Sequence, residues 1–571
     1  MKKSNQKEII LNIHKKIKYL YPEKDTDEIL HKLKSIMDNY DNNKIIVAKR
    51  KRYDDKISLT NKDAILITYG DTIKQKNEKP LKTLHKFLKK YVKKSISGVH
   101  ILPFFPYSSD DGFSVIDYKK VNPTLGDWED IVRICKDYRL MVDFVINHVS
   151  RESKWFKAFL KGDKKYKDYF IHYSKKVDTS SVFRPRTNPL LTKFKTQNGI
   201  KYVWTTFSND QVDLNFKNPD VLIDMIEILL FYVSKGVEII RLDAIAYLWK
   251  ELGTKCIHLK KTHEIVKIMR DILDYVAPYT IIITETNVPP KENISYFGNG
   301  HDEAQMIYKF LLPPLVLDAI TRKDSSYLKK VYKMFGSLNK NSLFFNFLAS
   351  HDGIGILGAR RTLSSKHFNN LIKTIKNHNG LISYKTGKKG RTVPYELNIN
   401  YFDGINNPNK KTGVEKEVKR FIASQAIMIL SKGIPGIYIH SLLGSRNYLQ
   451  GVKRTGMKRE INREKLEYKK IDREIKNKKS IRHKTLSNYL NILNVRKNIG
   501  ALDPYCKEKP IKSDKRLLIT ERKYGGKKVT VIVNVSEDKI MLEKYTKKLD
   551  WLSKKRFSGE IKPYGSYIII S

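Results

Sequence analysis

Short apolar runs alternate with helical periodicity from residue 63 onward, and nothing else in the chain restricts its fold as strongly. The runs are DAILITYGD (63–71), GVHILPFF (98–105), LMVDFVINH (140–148), VEIIRLDA (237–244), TIIITETN (280–287), AQMIYKF (304–310), SLFFNFLASHD (342–352) and GIPGIYI (433–439). Strands covered on both faces read as near-continuous apolar stretches, and their alternation with helices marks βα units around a parallel sheet. Eight such units predict an α/β fold, a closed (β/α)8 TIM barrel, with a doubly wound open sheet as the structural alternative. In a closed barrel every strand delivers its C-terminal end to one mouth, and the loops there carry function.

The flanks are of another kind. Residues 1–60 predict a helical N-terminal extension: Ile10, Ile13, Ile17 and Leu20 share one helical face, and Thr26 and Asp27 start a second helix with Leu30, Leu33 and Met37 inward. NKIIVAKRKRYDDK reads as a linker. The barrel then occupies 61–148 and 216–490, interrupted by an inserted B domain over 149–215 and a Gly/Lys/Asn-rich acceptor-loop insertion near 376–412. Residues 500–571 predict a small antiparallel β domain, with RLLITERKY and KKVTVIVNVS joined at Gly525–Gly526 and YGSYIIIS as a closing strand.

Charge and cysteine usage narrow the class. Lys and Arg number 110 against 60 Asp and Glu, a formal +50. The lysines are spread along the chain, with no zinc finger and no aromatic RNA-binding block, so no specific nucleic-acid partner is expected; the field favours anionic substrates such as phosphate. Three dispersed cysteines (Cys135, Cys256, Cys506) form neither a disulfide framework nor a zinc set. The N-terminus lacks a signal-peptide core, and no run reaches the roughly 18 apolar residues a span requires. A soluble cytoplasmic protein, monomer or homodimer, with no membrane partner is the expectation.

Four apolar runs end in polar residues. DFVINH supplies Asp143, Asn147 and His148; IIRLDA supplies Arg241 and Asp243; IIITETN supplies Glu285; FLASHD supplies His351 and Asp352. On one strand alone, a structural ion pair and a catalytic site are equally good readings of a buried charge. Four ends converging on one mouth favour the site, with Asp143 as a structural partner in the barrel floor. Three carboxylates suit retaining glycoside chemistry, in which a nucleophile and an acid/base stand about 5–5.5 Å apart. Asp243, beside Arg241, is expected to stay ionised and serve as nucleophile; Glu285, at the end of an Ile-rich strand, is expected to hold a proton as the acid/base. Asp352 would stabilise positive charge, and His148 and His351 would bind sugar hydroxyls. Neither HExxH nor EF-hand spacing is present, so no metal is expected.

These stretches, in this order, resemble the four signature segments of the alpha-amylase superfamily (glycoside hydrolase family 13), and the likeness covers most of residues 63–480. It implies the barrel, a B domain after the third strand and double displacement on alpha-glucosides, with Asp243 as nucleophile, Glu285 as acid/base and Asp352 as transition-state stabiliser. Arg241, His148 and His351 would line the glucosyl subsite. LITYGD, PFFPYSSDDGFSVIDY and SNDQVDLNF are similar to the sucrose phosphorylase subfamily. That likeness implies glucose-holding roles for Asp110, Phe113 and Gln211, and group positions for Phe207, Tyr247 and Arg463. It places Pro185 and Arg186 of FRPR, with Tyr395 of PYELN, where acceptor and phosphate are handled. Glu396 stands where sucrose phosphorylases tend to have Gln, and the N-terminal extension with GTKCIHLKKTHEI resembles the glucosylglycerate phosphorylase branch. The implied activity is that of a retaining alpha-glucoside phosphorylase, taking a glucosylglycerate-like or sucrose-like alpha-glucoside and inorganic phosphate to alpha-glucose 1-phosphate without a cofactor. The competing readings are a hydrolase or transglucosylase on the same scaffold, and a retired barrel binding nucleic acid through its basic surface.

Overall fold

In the computed structural model, which describes residues 3–56, 59–335, 342–387 and 391–571, eight parallel strands close into a barrel. They are β1 (Ile65–Thr68), β2 (Gly98–Ile101), β3 (Arg139–Val145), β4 (Val237–Asp243), β5 (Ile281–Thr284), β6 (Met306–Tyr308), β7 (Leu343–Phe347) and β8 (Ile434–Tyr438), and β8 pairs back to β1. The open-sheet alternative is thereby excluded. All seven residues of β4 are buried. The ladders stop before the sequence runs do: Asn147, His148, Ala244, Glu285, His351 and Asp352 lie just past their strands, where the chain turns into the loops of the mouth. Local signals set the surrounding helices. Asn218 caps helix Pro219–Ser234, which starts on a proline, and Asp127 forms a reciprocal capping box with Asp130.

Helices α1 (Lys3–Leu20) and α2 (Thr26–Asp41) pack on the outer barrel helices Lys260–Val276 and Pro219–Ser234. Ile13, Ile17 and Leu20 are buried as the periodicity requires, and Ile29 rather than Leu30 is buried beside Leu33 and Met37. The expected linker is instead a third helix, α3 (Lys44–Tyr53), started by Asn43, whose side chain accepts from the amides of Ile45 and Ile46. Its basic composition is misleading because one of its cations is spent internally. Lys49 is buried and hydrogen-bonded to Glu238, the residue at which the β3–β4 register shifts. The contact pins α3 to the N-terminal end of the barrel. Lys49→Ala leaves the Glu238 carboxylate to Arg139 alone, 3.6 Å away, and is expected to cost about 2–3 kcal/mol, read as a lowered urea midpoint at unchanged m-value.

Between β3 and β4 the chain lays down helix Lys154–Leu160, a three-stranded antiparallel sheet (His172–Tyr173, Leu191–Thr196, Gly199–Trp204) and the strand pair His148–Ser150 with Gln211–Asp213. After β7 comes the hairpin Leu381–Thr386/Thr392–Asn398, in the segment expected as an acceptor-loop insertion; residues 388–390 of that segment lie outside the described residues. The C-terminal region is a six-stranded antiparallel sheet whose central hairpin turns at Gly525 and Gly526, both at positive φ (53° and 74°) as a tight primed turn demands. Among the described residues no helix is long and apolar enough to cross a membrane.

Candidate active site

The register of three adjacent strands builds the floor of the mouth. Asp143 of β3 pairs with Arg241 of β4 across the ladder, so both point into the barrel. Arg241 Nη1 donates to Oδ1 of Asp143 and, at 2.7 Å, to Oδ1 of Asp243. His100 holds the other Asp143 oxygen at 2.7 Å. Burial alone would raise Asp143, but Arg241 and His100 more than offset it and keep the carboxyl below the usual range. Asp143 therefore anchors the arginine from a fully enclosed position, as a floor partner should.

Leu242 pairs with Thr284 on β5, so the next residues, Asp243 and Glu285, stand side by side on neighbouring strands, which lie about 4.8 Å apart. The Glu285 amide donates to the Leu242 carbonyl at 3.2 Å, extending the pairing to the point where the loops diverge. Ala244 then takes a left-handed conformation (φ 51°), and its amide faces the Glu285 carboxyl. Burial raises Asp243 above the ordinary carboxylate range; Arg241 pulls it down, while Glu285 and Asp143 push it up. Glu285 is likewise raised by burial and by Asp352. This corrects the expectation that Arg241 simply keeps Asp243 ionised: one Nη1 is divided between two aspartates. The two mouth carboxyls, both raised by burial, titrate as a pair. Because Arg241 donates directly to Asp243 and acts on Glu285 only through space, the shared proton belongs on Glu285.

Asp352 behaves in the opposite way. Burial would raise it, but Arg459, His351 and Arg463 more than offset this and hold it well below the usual range. Arg459 Nη1 lies 2.5 Å from Asp352 Oδ1. His351 and His148 are both lowered by burial and are neutral at pH 7.

The same mouth has a wall of aromatic, acidic and amide side chains. Asp110 and Asp111 occupy left-handed conformations in a tight DDG turn. Gly112 (φ 112°) completes it, where any Cβ would come within 2.7 Å of the Pro103 carbonyl oxygen. The turn presents Phe113, whose ring stacks on His351 at 4.8 Å and 5°. Gln211 Nε2 donates to the Phe113 carbonyl (3.2 Å) and to Asp110 Oδ2 (3.4 Å). His148 Nε2 donates to the same carbonyl at 3.0 Å. Phe207 meets Tyr247 edge-on at 5.4 Å, and the Arg186 guanidinium lies 5.8 Å from the Phe207 ring and 5.7 Å from that of Tyr395.

These side chains line one cavity, open to solvent. It brings together Asp110, Phe113, His148, Arg186, Phe207, Gln211, Asp243, Tyr247, Glu285, His351, Asp352, Tyr395 and Glu396. Arg241 lies beneath this floor and Pro185 is buried behind Arg186; neither lines the cavity. Arg463 does not line it either. Its Nε donates to the His351 carbonyl at 2.8 Å from behind. The lining arginine is Arg459, in the short 3-10 helix Lys458–Asn462. The helix ends at Arg463, whose φ of −121° turns it back beneath His351. KRE and INRE are equivalent arginine signals in sequence, and only this turn separates them. Asn287 and Phe310 are further lining residues. Both end apolar runs already identified, but without a charge to mark them.

Glu396 is not a free acid. Arg459 grips it in a fork, Nη2 to Oε1 at 2.9 Å and Nε to Oε2 at 3.2 Å. A register shift in the hairpin, Ser383 opposite Glu396 but Tyr384 opposite Pro394, leaves Tyr395 as an extra bulged residue. In a regular strand, neighbours 395 and 396 would face opposite sides; the bulge lets both reach the cavity.

Residues 84–389 match the alpha-amylase catalytic domain. The chain is 51% identical over 483 residues to the glucosylglycerate phosphorylase of Spirochaeta thermophila, covering 84% of this chain and 82% of that one. It is 44% identical over 509 residues to the glucosylglycerate phosphorylase of Allomeiothermus silvanus, covering 89% and 91%. The crystal structure of sucrose 6F-phosphate phosphorylase from Thermoanaerobacter thermosaccharolyticum superposes with a TM-score of 0.73 at 26% identity, covering 84% of this chain and 95% of that one.

Proposed function

The chain belongs to the alpha-amylase family, in the branch of the alpha-glucoside phosphorylases, and from that premise we propose that it cleaves a glucosylglycerate-like alpha-glucoside with inorganic phosphate. The observation that carries this reading is the adjacent pair Asp243 and Glu285, one hydrogen-bonded to Arg241 and both raised by burial, on the floor of a cavity that Arg186 also lines. Asp243 Oδ attacks the anomeric carbon while Glu285 gives its proton to the departing alcohol oxygen, leaving a beta-glucosyl ester on Asp243. Phosphate then attacks the same carbon from the face the alcohol left, and Glu285 now takes a proton from it. The ester bond breaks, and two inversions yield alpha-glucose 1-phosphate.

Asp352, held ionised by Arg459, faces the positive charge that develops at the ring. Asp110 and Gln211 bind glucose hydroxyls, and Phe113 covers the ring face. Arg459 takes the subsite place expected of Arg463. Arg186 meets the phosphate dianion, and Tyr247, Phe207 and Tyr395 shape the passage it enters. Relatives named glucosylglycerate phosphorylase, at 51% and 44% identity, support glycerate as the departing alcohol.

Incubating the enzyme with glucosylglycerate tests the reading: alpha-glucose 1-phosphate appears only with phosphate. Free glucose at the same rate without phosphate would make it a hydrolase and sink the proposal. Arg186→Ala is expected to lower kcat/KM for phosphate by about 100-fold, the worth of a charge-assisted contact, and to alter glucoside binding little.

A further inference from the structure

One cation near the mouth has no counter-charge among the described residues. Lys385 lies on strand Leu381–Thr386, half-buried, with its Nζ 4.3 Å from the centre of the Phe183 ring and 6.0 Å from that of Tyr395. Tyr395 lines the cavity, so Lys385 is one ring removed from it. Burial first, then Arg360 and Arg361 of helix Leu357–Thr362, push its ammonium down to about 8. Among the described residues no carboxylate pairs with Lys385; Glu396, the acid nearest in the hairpin, is already forked by Arg459. Aromatic contacts repay only part of the cost of a half-buried ammonium. A half-buried cation without an acid, one ring from a substrate passage, is a place for an oxyanion.

We propose that Lys385, seated between the rings of Phe183 and the cavity-lining Tyr395, binds an oxyanion, a carboxylate or phosphate group, at the acceptor end of the cavity. This rests on the phosphorylase reading, and it assigns recognition of the substrate's negative charge to the hairpin rather than to the barrel. Arg186, 5.7 Å from the centre of the Tyr395 ring, is left to the transferred phosphate. A solely structural role, Lys385 stapling the hairpin to Phe183, makes a different forecast, because it affects neutral and charged acceptors alike.

The test compares wild type, Lys385→Met and Lys385→Arg as full-length enzymes. Synthesis from alpha-glucose 1-phosphate is followed with D-glycerate and with uncharged glycerol as acceptors, and phosphorolysis is followed at varied phosphate. Lys385→Met is expected to raise KM for D-glycerate at least ~10-fold with kcat within about twofold, to leave glycerol unchanged, and to be largely rescued by Lys385→Arg. A selective rise in KM for phosphate instead identifies inorganic phosphate as the oxyanion and likewise supports the site. Equal weakening of glycerol and glycerate, or no change in any KM, overturns it. Calorimetric binding of D-glycerate and of phosphate to the unreacted enzyme gives a readout without turnover. If wild type made no alpha-glucose 1-phosphate, the proposed reaction would fail while the binding comparison still decided the site.

Discussion

Asp243→Asn removes glucosyl transfer, with kcat for phosphorolysis falling on the order of 10^5-fold, the scale on which loss of a covalent nucleophile is felt. The amide cannot form the ester, and it presents Arg241 with an acceptor that carries no charge. The fold should survive, because Asp143 still holds the arginine from below and His100 still holds Asp143. Stopped assays for alpha-glucose 1-phosphate, together with an unchanged circular dichroism spectrum, check both parts. Activity retained within tenfold would show that Asp243 is not the attacking group.

Glu285→Gln separates the two halves of the reaction. Proton donation by a positioned acid is worth about 10^2 to 10^4-fold, so cleavage of an alkyl glucoside should fall by about 10^3. A glucosyl fluoride, whose leaving group needs no proton, should still load Asp243 at near wild-type rate. The pH profile carries a second signature. Because burial and Asp352 raise Glu285, its acid form persists above the ordinary carboxylate range, and wild-type kcat/KM declines as pH rises through that raised value. The variant should lose this alkaline limb. Stability follows the same sign. A carboxyl raised in the folded state favours folding most below its unfolded value near 4.5, and that contribution is lost as pH rises through the folded value. Replacing it with an uncharged amide should therefore raise the midpoint of unfolding at pH 8, with no gain at pH 4. Wild-type turnover of glucoside in the variant, or an unaltered alkaline limb, would remove Glu285 from the acid/base role.

The barrel was legible because β4 and its neighbours are buried on both faces, so each is written as a mostly apolar word, and its few charged residues stood out against it. Positions were harder where backbone geometry, rather than residue type, chooses the side chain. Arg459 and Arg463 are equal candidates until the 3-10 turn aims one forward and the other back. Tyr395 and Glu396 share a cavity only through a bulge, which leaves no compositional trace. The helix α3 was read as a linker because its one buried cation, Lys49, looks in sequence like the exposed cations around it; its partner Glu238 is 189 residues away. The proton placement also needed coordinates, since the influence of Arg241 on Asp243 depends on a second aspartate that claims the same nitrogen.

That divided arginine bears on the resting enzyme. Before substrate arrives, one guanidinium answers two aspartates in an enclosed space with little water to absorb the surplus. Once Asp243 becomes an ester, Arg241 and Asp143 are left as a balanced couple, and the negative charge passes to Glu285, which has given up its proton. Glucosylation thus moves one charge away from the shared arginine and onto the group that must next take a proton from phosphate.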